Sequence, residues 1–232
     1  MAVPLSIVIP TLNEARNLPG LLRDLAPARA RGAEVLVVDG GSDDDTVALA
    51  EAAAVTVLRA EGGRGPQLAR GADAATGAVL WFLHADSTVE SVSDLHLLSG
   101  LAESGRRWGF FSVRLLGDHP ALRVIERMMN WRSRLTGIAT GDQGLFVQRA
   151  ALEAVGGVPP LPLMEDVALA TALRDGQGPP LCLRKRLRTD GRRWLSHGVL
   201  RTVWLMWRLR WAYARGADPA VLDRRYRESD PA

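Results

Sequence analysis

Asp39 and Asp86 each close a run of apolar residues, Val35-Leu36-Val37-Val38 in one case and Val79-Leu80-Trp81-Phe82-Leu83-His84-Ala85 in the other. Short continuous runs of this kind read as central strands buried on both faces. In an open α/β sheet, ligands sit beyond the carboxyl ends of such strands. Asn13 and Glu14 stand in the same relation to Leu5-Ser6-Ile7-Val8-Ile9, and Arg64 follows Val55-Thr56-Val57-Leu58 in a glycine-rich loop. As a set these groups have a definite chemistry. Asp39 can accept from a base N–H, Glu14 can bind ribose hydroxyls, and Arg64 can pair with a diphosphate. Asp86 can hold a divalent cation, which prefers oxygen ligands and would bridge it to the diphosphate. Singly, each has a plain structural alternative: Asp86 as a turn or capping residue, and Asp43, Asp44 and Asp45 as complements to the dipole of a first helical turn. Jointly they describe a pocket for a nucleoside diphosphate.

The elements that must position these residues follow from the pattern between them. Helices are expected from about Ala15 to Leu25, capped by Thr11 or Asn13, from Val47 to Ala54 and from Gln67 to Ala75. Strand and helix alternate four times, which gives an α/β class with a mainly parallel sheet. The second half reads as a strand at Gly109–Leu116 and a helix from Ala121 to Arg134. The turn Gly141-Asp142-Gln143-Gly144 then leads into a strand at Leu145–Val147. Glu165 and Asp166 open a helix over Val167–Arg174, and Leu181-Cys182-Leu183 is a last short strand. The expected division is 1–190 as one domain, with 1–90 its nucleotide half and 91–190 its acceptor half, followed by a helical segment over 191–232.

Composition narrows the classes. A chain of 232 residues with net charge +3 can bury a full core, and that charge gives no reason to expect a nucleic-acid partner. Its basic residues do crowd at Arg184, Lys185, Arg186, Arg188, Arg192 and Arg193, either as a solvated face or as a lid over phosphates. The single Cys182 excludes an internal disulfide and a cysteine zinc site, and the amino-terminal residues show no signal pattern, so the expectation is cytoplasmic. Pro10-Thr11-Leu12-Asn13-Glu14 after the first strand has no glycine for a dinucleotide, and there is no P-loop. Trp194–Tyr213 is helical in pattern, with Trp204, Trp207 and Trp211 on one face flanked by Arg201 and Arg208. Too much charge interrupts it to span a bilayer. Core packing is the ordinary reading; a homodimer contact or peripheral attachment at the inner membrane surface are the others.

In order, Ile7–Glu14, Val37–Thr46, Leu83-His84-Ala85-Asp86 and Met164-Glu165-Asp166 resemble the signatures of family 2 glycosyltransferases. The resemblance covers roughly residues 3–190. It implies a GT-A fold with a Rossmann-like, mainly parallel sheet and helices on both faces, a nucleotide-sugar donor, a Mn or Mg ion, and inverting transfer. His-Ala-Asp together with Gly-Asp-Gln-Gly is similar to a small bacterial subset associated by name with arsenosugar biosynthesis.

Carried over by residue, the resemblance puts Pro10, Asn13, Glu14, Asp39 and Ser42 on the nucleoside and Arg64 beside the diphosphate. Asp86 matches the last Asp of the metal-binding Asp-x-Asp motif. His84 stands in place of the first Asp and on the donor side, where it could bind ribose; imidazole suits Mn better than Mg. Asp166 matches the catalytic base, which takes the acceptor proton as the acceptor oxygen attacks the anomeric carbon. Asp142, Gln143 and Glu165 fall on the acceptor side. The partial echo of a polymerase motif in Arg192-Arg193-Trp194 favours transfer of a single sugar, from a donor expected to be a UDP-sugar, to a small-molecule or lipid acceptor. The alternatives are a nucleotidyltransferase that makes a nucleotide sugar and a binding protein without catalysis.

Overall fold

Residues 4–190 and 198–228 are described by a computed structural model. Four strands carry the first half: β1 (Leu5–Thr11), β2 (Glu34–Asp39), β3 (Thr56–Arg59) and β4 (Val79–Phe82). Between them run α1 (Leu18–Asp24), α2 (Ala26–Ala30), α3 (Thr46–Ala52) and α4 (Arg64–Ala74). Then follow α5 (Ser93–Ser104), β5 (Trp108–Leu116), α6 (Pro120–Thr136), a 3₁₀ turn (Gly141–Gln143), β6 (Phe146–Gln148) and α7 (Arg149–Ala154). The chain continues with α8 (Glu165–Gln177), β7 (Leu181–Asp190), α9 (Val199–Ala214) and α10 (Pro219–Glu228).

Alternation along the apolar strands decides the layers, because successive side chains point to opposite faces. Ile7, Ile9, Val35, Val37 and Trp81 pack with Leu18, Leu21, Leu25, Leu97 and Leu101 on one side of the sheet. Val8, Leu36, Val38, Leu80 and Phe82 pack with Leu68, Ala72, Leu169 and Leu173 on the other. Both faces are covered, so these strands carry apolar residues at every position. The sheet has seven strands in the order β3-β2-β1-β4-β6-β5-β7. β3, β2, β1 and β4 are parallel, as the alternation of elements predicts. β6 runs antiparallel to both its neighbours, and β7 is parallel to β5 at the edge. This is the mixed α/β architecture of the GT-A fold.

Several boundaries differ from the sequence reading, each for a local reason. The apolar run through Asp86 is strand only to Phe82, because Leu83 onward leaves the ladder with β6 and forms a loop. Neither Thr11 nor Asn13 caps α1, which starts at Leu18 with Asn17 as the preceding residue. Asn13 instead adopts a left-handed conformation, φ 57°, as asparagine tolerates. The acidic residues after Ser42 precede the first turn of α3 rather than occupying it. β7 is ten residues long and carries Arg184, Lys185, Arg186 and Arg188 on an exposed edge strand, with a bulge opposite Phe111 and Ser112. Arg192, Arg193 and Trp194 lie outside the described residues. Trp204, Trp207 and Trp211 are not core: they are 61%, 67% and 62% exposed. The opposite face of α9 supplies Leu209, which packs with Leu163, Met164 and Leu222.

The sheet and α4 approach each other so closely that only glycine fits at residue 71, where a Cβ would lie 2.3 Å from Val8 Cγ1. Gly71→Ala is expected to lower stability to urea unfolding by about 1–3 kcal/mol through overpacking. Gly20→Ala, within α1 and with nothing within 4 Å of its added carbon, is expected to raise it by about 0.5–1 kcal/mol.

Candidate active site

At the carboxyl ends of β1 and β2 the two following loops are stitched together. The Asn13 amide donates to Ser42 Oγ at 2.9 Å and the Asp43 amide to Asn13 Oδ1 at 2.9 Å. The Glu14 amide donates to Thr46 Oγ1 at 2.8 Å, and the Ala15 amide to Asp44 Oδ2 at 3.1 Å. Pro10 lies inside β1, buried, opposite Val38. Gln67 of α4 reaches over this end and donates to the carbonyls of Thr11 (2.7 Å) and Val38 (2.8 Å). It is an unforeseen buried amide that satisfies two strand-end acceptors.

Asp39 is almost fully buried, and its carboxylate accepts from the amides of Gly41 (2.9 Å) and Ser42 (3.0 Å) and from Ser42 Oγ (2.5 Å). Burial by itself would raise its pKa, but the Ser42 hydroxyl, the two amides and the Arg59 charge together hold it below the ordinary aspartate value. The group is an ionised acceptor fixed in position.

The second cluster gathers residues from four separate stretches. His84 follows β4, Asp142 lies in the 3₁₀ turn, Glu165 and Asp166 open α8, and Arg64 opens α4. Arg64 Nε meets Glu165 Oε1 at 3.1 Å, with Glu165 1% exposed. Burial works against the charge of Arg64, but the carboxylates of Glu165, Asp166, Asp142 and Asp86 outweigh it and hold the guanidinium firmly protonated. The same burial pushes Glu165 above the usual carboxylate range against the pull of Arg64. Glu165 Oε2 is buried without a hydrogen-bond partner among the described residues.

Asp166 accepts from the Gly141 amide at 2.8 Å through Oδ2 and from the Val167 amide at 2.7 Å through Oδ1. Each carboxylate oxygen therefore keeps lone-pair capacity. His84 Nδ1 lies 3.3 Å from Asp142 Oδ1. A Cβ on residue 141 would sit 2.3 Å from His84 Nε2, so the imidazole rests on the glycine backbone. Both ring nitrogens thus lie against the Gly141-Asp142 turn. Gln143 is likewise used by the protein: it accepts from Ser133 Oγ at 2.7 Å and from the Thr140 amide at 3.1 Å, and it is fully buried. It builds the capping box of the turn with Thr140 and does not line an open acceptor surface.

Three further residues had no sequence signal. Arg132, near the end of α6, stands within electrostatic reach of Asp166 and Asp142, and its Nε is buried without a partner among the described residues. Burial lowers its pKa against the pull of those two carboxylates. The Thr189 hydroxyl hydrogen-bonds Asp86, and Tyr213 of α9 senses the charge of Asp166.

Among the described residues, no three His, Cys, Asp or Glu side chains stand close enough to hold a metal ion by themselves. A cation at Asp86 would therefore share ligands with a bound diphosphate. The surroundings of Asp86 fit such an ion: burial raises its pKa, and the nearby Asp142 and Asp190 carboxylates raise it further against His84 and Thr189. Burial is the leading cause of that rise, and carboxylate oxygen is the kind of donor that suits Mg or Mn.

A profile of glycosyl transferase family 2 matches residues 6–134, more than half of the chain. The chain belongs to glycosyl transferase family 2. It is 37% identical over 103 residues to a PGL/p-HBAD biosynthesis glycosyltransferase of Mycobacterium bovis, covering 41% of this chain and 40% of that protein. The chain spans less than half the length of the curated relatives it matches. Its fold is similar to that of S. aureus TarS 1–349 in complex with UDP, with a TM-score of 0.67 at 18% identity over 81% of this chain and 60% of that one. It is also similar to glucosyl-3-phosphoglycerate synthase of Mycobacterium tuberculosis in complex with Mn2+, UDP and glucosyl-3-phosphoglycerate. That TM-score is 0.62 at 20% identity, over 80% of this chain and 70% of that one. At these identities the structural likeness speaks for the fold.

The Asp39 carboxylate gives a stability test. Its depressed pKa means that its contribution is complete above the unfolded value, roughly pH 3.9, and is lost as pH falls through the lower folded value. Asp39→Asn should therefore be less stable than the parent by about 1–3 kcal/mol at neutral pH. In urea unfolding followed from pH 7 down to about pH 3, the gap should narrow only below roughly pH 4.

Proposed function

We propose that the chain transfers a single sugar from a UDP-sugar to an acceptor hydroxyl with inversion, in a metal-dependent reaction, and that Asp166 is the general base. The observation that carries this reading is the hydrogen bond from the Gly141 amide to Asp166 at 2.8 Å. It ties the α8 carboxylate to the turn that holds His84 and Asp142, directly beside Arg64 and Glu165. Four stretches far apart in sequence meet there around one half-buried carboxylate.

In this reading Asp39, with Pro10, Asn13, Glu14 and Ser42, binds the nucleoside, Asp39 accepting from the base. Residues 1–90 then form the donor half and 91–190 the acceptor half, with the helices after 190 beside the latter. Asp166 takes the proton from the acceptor hydroxyl as that oxygen attacks the anomeric carbon from the face opposite the diphosphate. Arg64, held by Glu165, offers positive charge where the leaving diphosphate gathers negative charge. A divalent ion bound at Asp86 would neutralise diphosphate charge, and the Mn2+ and UDP named together in the structure of the phosphoglycerate synthase support that choice. His84 and Asp142 shape the wall between the donor and acceptor sides, and the unpartnered Glu165 Oε2 can accept from a bound hydroxyl. Membership of the arsenosugar-associated subset rests on His84-Ala85-Asp86 paired with Gly141-Asp142-Gln143-Gly144 alone.

Asp166→Asn keeps the shape of the side chain and one of its two backbone contacts, because the amide NH2 cannot accept, and it removes the base. Transfer is expected to fall by roughly a hundredfold to ten-thousandfold, while UDP affinity by calorimetry stays within about threefold. Equal loss of UDP binding would count against Asp166 as a dedicated base. In the same calorimetry, UDP binding by the parent chain should be strengthened by Mn2+. Asp86→Ala should lose that gain and retain the metal-independent part; a gain that survives the substitution would place the cation elsewhere.

A further inference from the structure

Two helices present apolar stripes to solvent. On α9, Trp204, Trp207 and Trp211 recur at spacings of three and four residues and are each more than three-fifths exposed. On α6, Val124, Met128, Trp131 and Leu135 recur at four, three and four, with exposures of 56%, 50%, 68% and 70%. Stripes at this spacing lie along one side of a helix. In both helices the opposite side is already used. Leu209 of α9 packs on Leu163 and Met164, and Leu122 and Ile125 of α6 pack on Val113 and Leu115.

The charges beside the tryptophans are of one sign. The α9 sequence holds Arg201, Arg208 and Arg210 and no acidic residue, and Arg215 follows it. Arg208 lies over the Trp204 ring at 5.2 Å and Arg215 over the Trp211 ring at 4.3 Å. These cation–π contacts brace each ring against a guanidinium. On α6, Arg127 is exposed beside Met128 and Trp131, whereas the only acid, Glu126, is buried and paired with Arg123 at 3.0 Å. No described helix is long and apolar enough to cross a membrane.

We propose that these two faces seat the protein on an anionic lipid surface. Tryptophan and arginine together suit the level of lipid headgroups, where a ring is half in hydrocarbon and a cation meets phosphate. A second copy of the chain fits less well, since a twofold contact would set one arginine row against its own image. Both helices also border the candidate active site. α9 packs on the residues just before Glu165 and carries Tyr213 within the field of Asp166. α6 places Arg132 near Asp166 and Asp142. A lipid surface held by these faces would lie at the acceptor side. The inference concerns binding alone and stands apart from which sugar is moved.

Co-sedimentation with phosphatidylcholine vesicles and with vesicles containing about a third phosphatidylglycerol tests it without any turnover. The chain should bind the anionic vesicles at least several-fold more than the neutral ones, with a blue shift of tryptophan fluorescence and weakening at high salt. The exposed triple change Trp204→Ser, Trp207→Ser, Trp211→Ser should lose binding about tenfold while circular dichroism and the unfolding midpoint stay unchanged. Arg201→Gln, Arg208→Gln, Arg215→Gln should remove mainly the salt-sensitive part. No sedimentation with anionic vesicles at low salt, or equal sedimentation of the tryptophan variant, would overturn the proposal. So would a dimer by light scattering that the tryptophan variant converts to a monomer without any vesicle binding in the parent.

Discussion

The guanidinium of Arg64 is the constraint on which the site depends. Asp86, Asp142, Glu165 and Asp166 all act on it, and carboxylates gathered this closely repel one another unless a cation stands among them. Arg64 does so from the first residue of α4, with one contact, to Glu165, made where that carboxylate is nearly sealed from water. Removing Arg64 would leave the nearly sealed Glu165 carboxylate without its ion-pair partner, which is far costlier than the pair is stabilising.

Close backbone approach lets these groups meet. A Cβ at residue 65 would fall 2.2 Å from the Leu161 carbonyl oxygen, and one at residue 63 would fall 2.9 Å from that of Pro162. The loop carrying Arg64 is thus pressed against the segment leading into α8. Gly141 gives the same freedom on the other side, where the His84 ring occupies the space a side chain would need. This accounts for the departure at His84 from an acidic residue. An imidazole there needs a glycine beneath it and an acceptor next to it, and Gly141-Asp142 supplies both. The two motifs are one structural unit divided between two stretches of chain.

The parallel half of the fold was legible in the sequence because continuous apolar runs and the residues closing them are local signals. Asp39 closes β2 as that logic expects, Asp86 lies four residues past the end of β4, and Asp166 sits in the first turn of α8. What was not legible depended on partners remote in sequence. Gln143 looks like an exposed turn amide until Ser133 and Thr140 claim it, and Arg132 is one arginine among several on α6 until the fold turns it toward Asp166. The last strand reads as ending at Leu183 because charge hides its continuation, yet β7 pairs with β5 through Asp190. The tryptophans on α9 carry the periodicity of a core face, and periodicity alone cannot say whether the face is covered.

Glu165 and Asp166 show why adjacency in sequence is a poor guide to role. On a helix, consecutive residues point about 100° apart, so the first turn of α8 sends one carboxylate inward and leaves the next half-buried at the site. The inward one is almost wholly enclosed and spends one oxygen on Arg64. The other takes amides from Gly141 and Val167 and keeps room for a further hydrogen. A carboxylate locked against a guanidinium has one oxygen committed to a charged partner, whereas one held by two neutral amides keeps lone-pair capacity on both oxygens. The same two-residue motif therefore gives one carboxylate fixed against Arg64 and a second that can still accept a hydrogen bond, and the helix start is what separates the two.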